Sequence, residues 1–208
     1  MVLVEAPVVM VGTDPVEVER RLRAGELACP CGAGPLAPWG HARQREVRGV
    51  GVLRARRARC SVCLVMHVLL AVSCLLRRAD AVEVVGAALI AKATGHGHRR
   101  VADRLGRPAW MVRGWLRAFA RDGEGIRAVF TSLLGELDPL AGPIRPMGSL
   151  FADAVEAIGA CAAAARRRLG VVGAVSAWQL ASAVTGGRLL GPGRSGRTDQ
   201  HELALGRR

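Results

Sequence analysis

Two close cysteine pairs, Cys29-Pro30-Cys31 and Cys60-Ser61-Val62-Cys63, are the residues of this sequence best suited to holding a metal ion. Structural zinc takes four soft or borderline donors in a tetrahedron, and a hairpin between the pairs would bring them together while closing a β unit that lacks a core of its own. The expected site is one structural zinc ion per chain on Cys29, Cys31, Cys60 and Cys63, with no position left open for a catalytic water. The usual knuckle has two residues between its cysteines, which lets backbone amides point at the sulfurs. Pro30 alone separates Cys29 from Cys31, which leaves a compressed knuckle, completion by His41 or His67, or loss of tight metal binding as the readings. Buried free thiols are the alternative for all four. Cys74 and Cys161 each stand alone in an apolar run and read as small core hydrophobes.

The second chemistry is cationic. The formal net charge is +13, and Lys92 is the only lysine. Arginine richness can follow from GC-rich coding, so placement is the stronger argument. Residues 41–60 hold seven arginines against Glu46, and residues 95–121 hold seven against Asp103, so these windows carry nearly the whole excess. Concentrated guanidinium charge suits phosphate binding. Within residues 97–121, Ala102 is small where two helices must approach, Gly106 can adopt a left-handed turn, and Val112 and Trp115 return to the core. That spacing predicts a helix-turn-helix. Pro108 fits the turn or the first turn of the second helix.

A recognition helix starting near Ala109 would turn Ala109, Trp110, Arg113, Gly114 and Arg117 toward the major groove, with Arg113 as the best base reader because arginine can grip guanine with two hydrogen bonds. His98, Arg99, Arg100, Arg104 and Arg107 would mostly hold phosphates. Trp110 is balanced between a thymine or sugar contact and a lid on the core. His96 and His98 read as loop contacts to phosphate or a helix cap rather than as metal ligands.

The elements that position these residues can be read from capping and periodicity. Asp14 and Pro15 open a short helix over residues 15–24. Residues 26–67 carry glycine, proline and short alternating runs, and Gly49-Val50-Gly51 can turn a hairpin between arginine-rich strands. Asp80 is the expected cap of a helix whose Val82, Val85 and Leu89 share a face up to Thr94-Gly95. Helices follow near residues 98–105 and 109–121. Beyond Gly123 the pattern weakens, with helices expected over 150–169 and 176–184, the latter opened by the capping pair Ser176 and Gln179. The fold class expected is mainly α with a small β zinc ribbon: an N-terminal segment with a short helix (1–25), the ribbon (26–76), a three-helix helix-turn-helix domain (79–122), an Ala-rich helical region (123–185) and a disordered basic tail (186–208).

Cys29-Pro30-Cys31-Gly32, Trp39-Gly40-His41-Ala42-Arg43, Arg56-Arg57-Ala58-Arg59-Cys60, His67-Val68-Leu69-Leu70, and Gly97-His98-Arg99-Arg100 through Trp115-Leu116-Arg117 form a series of motifs over residues 14–119. On these motifs, about half the chain resembles a family of uncharacterised zinc-ribbon plus helix-turn-helix proteins of high-GC bacteria, similar in layout to the N-terminal regions of insertion-sequence transposases. The resemblance implies zinc on the four cysteines and DNA at the helical segment. The shortened first cysteine pair departs from that pattern.

Other classes are disfavoured. The most apolar stretch, 64–76, is interrupted by His67 and Ser73 and falls short of the roughly 20 residues a membrane-spanning helix needs. Glu5 stands where a secretory signal would carry basic residues, so a cytoplasmic, nucleoid-associated protein is expected. Asp138, Asp153 and Glu156 do not make the two-metal carboxylate site of a strand-transfer enzyme, and no catalysis by the chain alone is expected. The expected partner is double-stranded DNA, with a homodimer admitted and neither membrane nor small-molecule substrate. The competing reading is a protein-interaction adaptor with a zinc ribbon and no specific DNA site.

Overall fold

The computed structural model describes residues 7–169 and 175–191. Its β part begins with a strand that has no alternation to announce it. Val8–Val11 (β1) is apolar at every position because its two faces meet different cores: Val9 and Val11 pack with Leu22, Leu36, Ala58 and Leu69, whereas Val8 and Met10 pack with Val47, Leu70 and Cys74. β1 pairs in parallel with Met66–Ala71 (β6), Val8 opposite Val68 and Val11 opposite Ala71. β6 lies antiparallel to Arg56–Cys60 (β5), and β5 antiparallel to Leu36–His41 (β2), in the order β1-β6-β5-β2.

The helix expected at residue 15 is present as Pro15–Arg23 (α1), with the Asp14 carboxylate accepting from the Val16 amide at 2.8 Å. Leu22 of α1 is buried against the inner face of the sheet. The N-terminal segment therefore packs with the four-stranded sheet around one small core. A parallel strand pair needs a long crossover, and here α1 and the cysteine-bearing strands supply it.

The expected hairpin is found at Gly49 and Gly51, both with positive φ, between Arg45–Val47 (β3) and Gly51–Leu53 (β4). It forms a separate two-stranded sheet, while β2 and β5 bring the cysteine pairs together. The Arg48 amide donates to Ala79 and the Arg48 carbonyl accepts from Ala81, docking this hairpin onto the segment that leads to the helices.

Among the described residues six helices follow: Val82–Ala93 (α2), His98–Leu105 (α3), Ala109–Arg121 (α4), Gly123–Leu137 (α5), Leu150–Leu169 (α6) and Ala177–Val184 (α7). The spans expected near 98–105, 109–121 and 150–169 agree with the observed ones, and at α7 Ser176 Oγ accepts from the Gln179 amide at 3.1 Å. Asp80 does not cap α2. Ala81 holds that position without a side-chain cap, and the Asp80 carboxylate is drawn into an ion-pair network instead. α5 escaped the sequence reading because three glycines weaken its local preference. Its Ile126, Phe130 and Leu134, four residues apart, are buried in the helical core shared with Ala154, Ala157, Ile158 and Cys161 of α6. Arg168 donates to the carbonyls of Glu136 and Leu137, satisfying the end of α5. Cys74 and Cys161 are fully buried, as expected of core hydrophobes.

Two contacts hold the ends of this core. Gly186–Gly191, expected as part of a disordered tail, returns to the fold: Leu189 and Leu190 are buried, Gly187 O accepts from Leu76, and Leu190 O accepts from the Arg78 guanidinium at 2.9 Å. The glycine-rich composition hid two leucines that have a place to go. The rest of that expected tail lies outside the described residues. In the other contact, the Trp178 ring of α7 lies directly on Gly86 of α2, where a Cβ would overlap the indole. Gly86→Ala gains about 1 kcal/mol of helix propensity, but it forces a ring that is only 6% exposed out of place. A net loss of about 2 kcal/mol, seen as a Tm fall of about 4–8 °C, is expected. An unchanged or higher Tm would show that this contact is slack.

Candidate metal centre and basic helical face

The cysteines are delivered by two turns at one end of the β2–β5 pair. Leu36 lies opposite Cys60, so the turn carrying Cys29 and Cys31 stands beside the turn from Cys60 to Cys63. Gly32 (φ 72°) and Leu64 (φ 62°) adopt left-handed conformations that fold the two turns back. At Gly34 the turns approach so closely that a Cβ would strike Val62 Cγ2 and Ser61 Oγ. The four sulfurs lie within 4.8 Å of one another. Cys29 Sγ is 3.7 Å from Cys63 Sγ, and Cys31 Sγ is 3.7 Å from Cys60 Sγ. A tetrahedron with metal–sulfur bonds of about 2.3 Å has edges of about 3.8 Å, so these separations fit a single ion held by four thiolates.

Pro30 compresses the first turn without abolishing it. The amides of Val62 and Cys63 both reach Cys60 Sγ at 3.4 Å, while the first pair supplies one such bond, from Cys31 N to Cys29 Sγ at 3.5 Å. The electrostatics of the thiols follow. Burial raises the Cys60 thiol, but the Val62 and Cys63 amides outweigh it and bring it down to about 6. Burial pushes the Cys29 thiol up to about 12. The Val65 amide pulls the Cys63 thiol down, yet burial and hydrogen bonds shared with Cys60 and Cys31 leave it raised. Cys60 thus gives up its proton easily while Cys29 and Cys63 keep theirs, the difference being set by burial and by which sulfur the amides reach.

The two histidines separate clearly. His41 is exposed at the far end of β2, its Nδ1 3.5 Å from Arg56. His67 is buried, its Nε2 3.3 Å from Cys29 Sγ and its Nδ1 without a partner among the described residues. It touches a ligand without joining the four-sulfur cluster, and burial lowers its pKa, favouring the neutral ring. Its position two residues into β6 was visible in the sequence, but its contact depends on the pairing of β6 with β5.

The second candidate surface is the α3–α4 unit. Gly106 closes α3 at φ 60° and ψ 42°, the left-handed turn expected of it. The Arg107 amide donates back to Ala102 O at 3.0 Å, and Pro108 precedes α4. Ala102, Val112 and Trp115 are buried, as the spacing predicted. Arg99, Arg100 and Arg104 of α3 are exposed, as are Trp110, Arg113, Gly114 and Arg117 of α4, whereas Ala109 is half-buried. Trp110 is 73% exposed and does not cover the core. His96 Nδ1 lies 3.1 Å from Ala91 O and 3.2 Å from Thr94 Oγ1, which makes it a closing contact for α2.

Arg107, expected to hold a phosphate, forms an ion pair within the protein. Its Nε donates to Asp80 at 2.6 Å, and Arg48 from the β3–β4 turn donates to both oxygens of the same carboxylate. Asp80 is 1% exposed, so the pairing is part of the interior. Arg56 is likewise held by Glu19 at 2.9 Å. The arginine-dense windows therefore contain both structural and outward-facing cations, a division that charge counting could not make. Of the carboxylates weighed for catalysis, Asp138 pairs with Arg167, Asp153 accepts from the Met147 amide, and Glu156 is exposed. Among the described residues, no helix is long and apolar enough to cross a membrane. Set against known proteins, the chain matches no family model, no curated protein and no solved structure.

Proposed function

We propose that the chain is a sequence-specific duplex-DNA-binding protein, acting as a regulator or as the targeting part of a mobile element, with a structural zinc ion on Cys29, Cys31, Cys60 and Cys63. The observation that carries the reading is the division of α4: Val112, Trp115, Leu116 and Phe119 are buried, while Trp110, Arg113, Gly114 and Arg117 form an open face with no acidic residue in the helix. A helix of this kind entering the major groove brings its amino-terminal residues nearest the bases. Gly114, without a side chain between Arg113 and Arg117, leaves room for close approach. Arg99, Arg100 and Arg104 on α3 supply phosphate contacts that set orientation. The role is binding rather than catalysis, and the zinc ion stabilises the β unit that braces the helices.

Selection from random duplex DNA tests the reading. An enriched motif is expected, and its absence would sink the proposal of specificity in favour of a protein-binding adaptor. Arg113→Ala should cost about 1–3 kcal/mol at one base position and relax selectivity there. Arg100→Ala should weaken all sequences alike and reduce the slope of log affinity against log salt by about one. Equal effects of both variants at every base position would remove Arg113 from its assigned role.

A further inference from the structure

We propose that the outer face of the β5–β2 strand pair binds single-stranded DNA, with an unpaired base stacked on Trp39. The Arg59 guanidinium lies 4.8 Å from the centroid of the Trp39 ring, and its Nε donates to Leu64 O at 3.1 Å. The arginine is thus anchored on one side of an indole that remains 52% exposed. Strand alternation sends Cys60 and Ala58 inward and Arg59 and Arg57 outward, and Met66 lies opposite Arg59 on the same face. Arg57, two residues before Arg59 on the same face, is exposed and extends the cationic surface.

None of the four strands contains an aspartate or glutamate. An exposed ring with a guanidinium on one side, carried by strands without carboxylates, suits a polynucleotide: the ring takes the face of a base, and the cations take the neighbouring phosphates. Stacking needs a base released from its pair, which selects a single strand over a duplex. The choice of DNA over RNA rests on the duplex-DNA reading of α3–α4, and apolar Met66 beside Arg59 offers no hydrogen bond to a 2′-hydroxyl.

Fluorescence anisotropy with the full chain and a labelled thymidine oligonucleotide of about 15 nucleotides tests the proposal. Trp39→Ala should weaken binding at least about tenfold, and Trp39→Phe should restore most of it, because a smaller ring still stacks. Metal content and Tm should not change, since Trp39 lies outside the cores. Failure of the helix reading would show separately, as duplex binding insensitive to Arg113→Ala while the Trp39 effect persists. No oligonucleotide binding by the native chain, or equal binding by Trp39→Ala, would overturn the proposal. So would tighter binding of a uridine oligoribonucleotide. Self-association abolished by Trp39→Ala, without oligonucleotide binding, would assign the face to a second copy of the chain and overturn it as well.

Discussion

Cys60→Ser in the full chain is expected to abolish stoichiometric zinc and disorder the cysteine-bearing end of the sheet, leaving the helical core folded. Serine keeps the size of the side chain but replaces a soft thiolate with a hydroxyl that does not ionise near neutrality, and zinc strongly favours the former. Cys60 is also the sulfur that receives two backbone amides and ionises most readily. Even residues that only hydrogen-bond to a ligand change metal affinity by about 10- to 100-fold, so loss of a ligand should exceed about 100-fold. Metal analysis on purified protein decides the matter: one zinc per chain retained by the variant would refute the four-cysteine site.

The same centre has a directional pH dependence. Ligation requires thiolates, and with the Cys29 thiol up at about 12 and Cys63 raised, zinc uptake at pH 7 must displace protons from both. Affinity should therefore rise with pH. Below about 6 the Cys60 thiol also holds a proton in the metal-free protein, so the loss of affinity on acidification should steepen there. Zinc uptake that released no protons at pH 7 would contradict this account.

Asp80→Ala is expected to produce the second large effect, on the junction between the β part and the helices. The carboxylate is buried and receives Arg48 from the hairpin and Arg107 from the α3–α4 turn. Its removal leaves two guanidinium groups facing each other without their counter-charge. Breaking a buried ion pair from one side costs about 3–5 kcal/mol, and the partial exposure of Arg48 places this case near the lower figure. A Tm lower by about 6–12 °C is expected for a chain of this size. The β and helical parts should then begin to melt separately, because the charge clasp between them is gone. A loss below about 0.5 kcal/mol would show that the network is dispensable. Duplex binding should also fall, since Arg107 sets the turn from which α4 projects.

Much of the helical unit was legible because its signals are local. Gly106 must adopt a left-handed conformation whichever helices flank it, and the alternation of Val112 and Trp115 with Arg113 and Gly114 declares two faces. The cysteines were equally legible as a set. What could not be read was which charged groups are already neutralised: Arg107 and Arg104 look alike in sequence, yet one is bonded to Asp80 and the other is exposed. Asp80 itself carries the signature of a helix cap, and the tertiary fold uses the carboxylate elsewhere because two arginines from distant segments reach it first.

The cysteine pairs and the left-handed turn at Gly106 between α3 and α4 were determined by residue type and interval alone, since side-chain chemistry and backbone conformation act over a few residues. Tertiary structure decided the rest. Parallel pairing made β1 part of the sheet and placed His67 against Cys29. Packing on α6 made a helix of glycine-containing α5, and open positions in the core gave Leu189 and Leu190 a buried place in a glycine-rich segment. Each of these depends on contacts between residues far apart in the chain, where burial outweighs local preference; α5 did carry a helical period in Ile126, Phe130 and Leu134, set against the low propensity of its glycines.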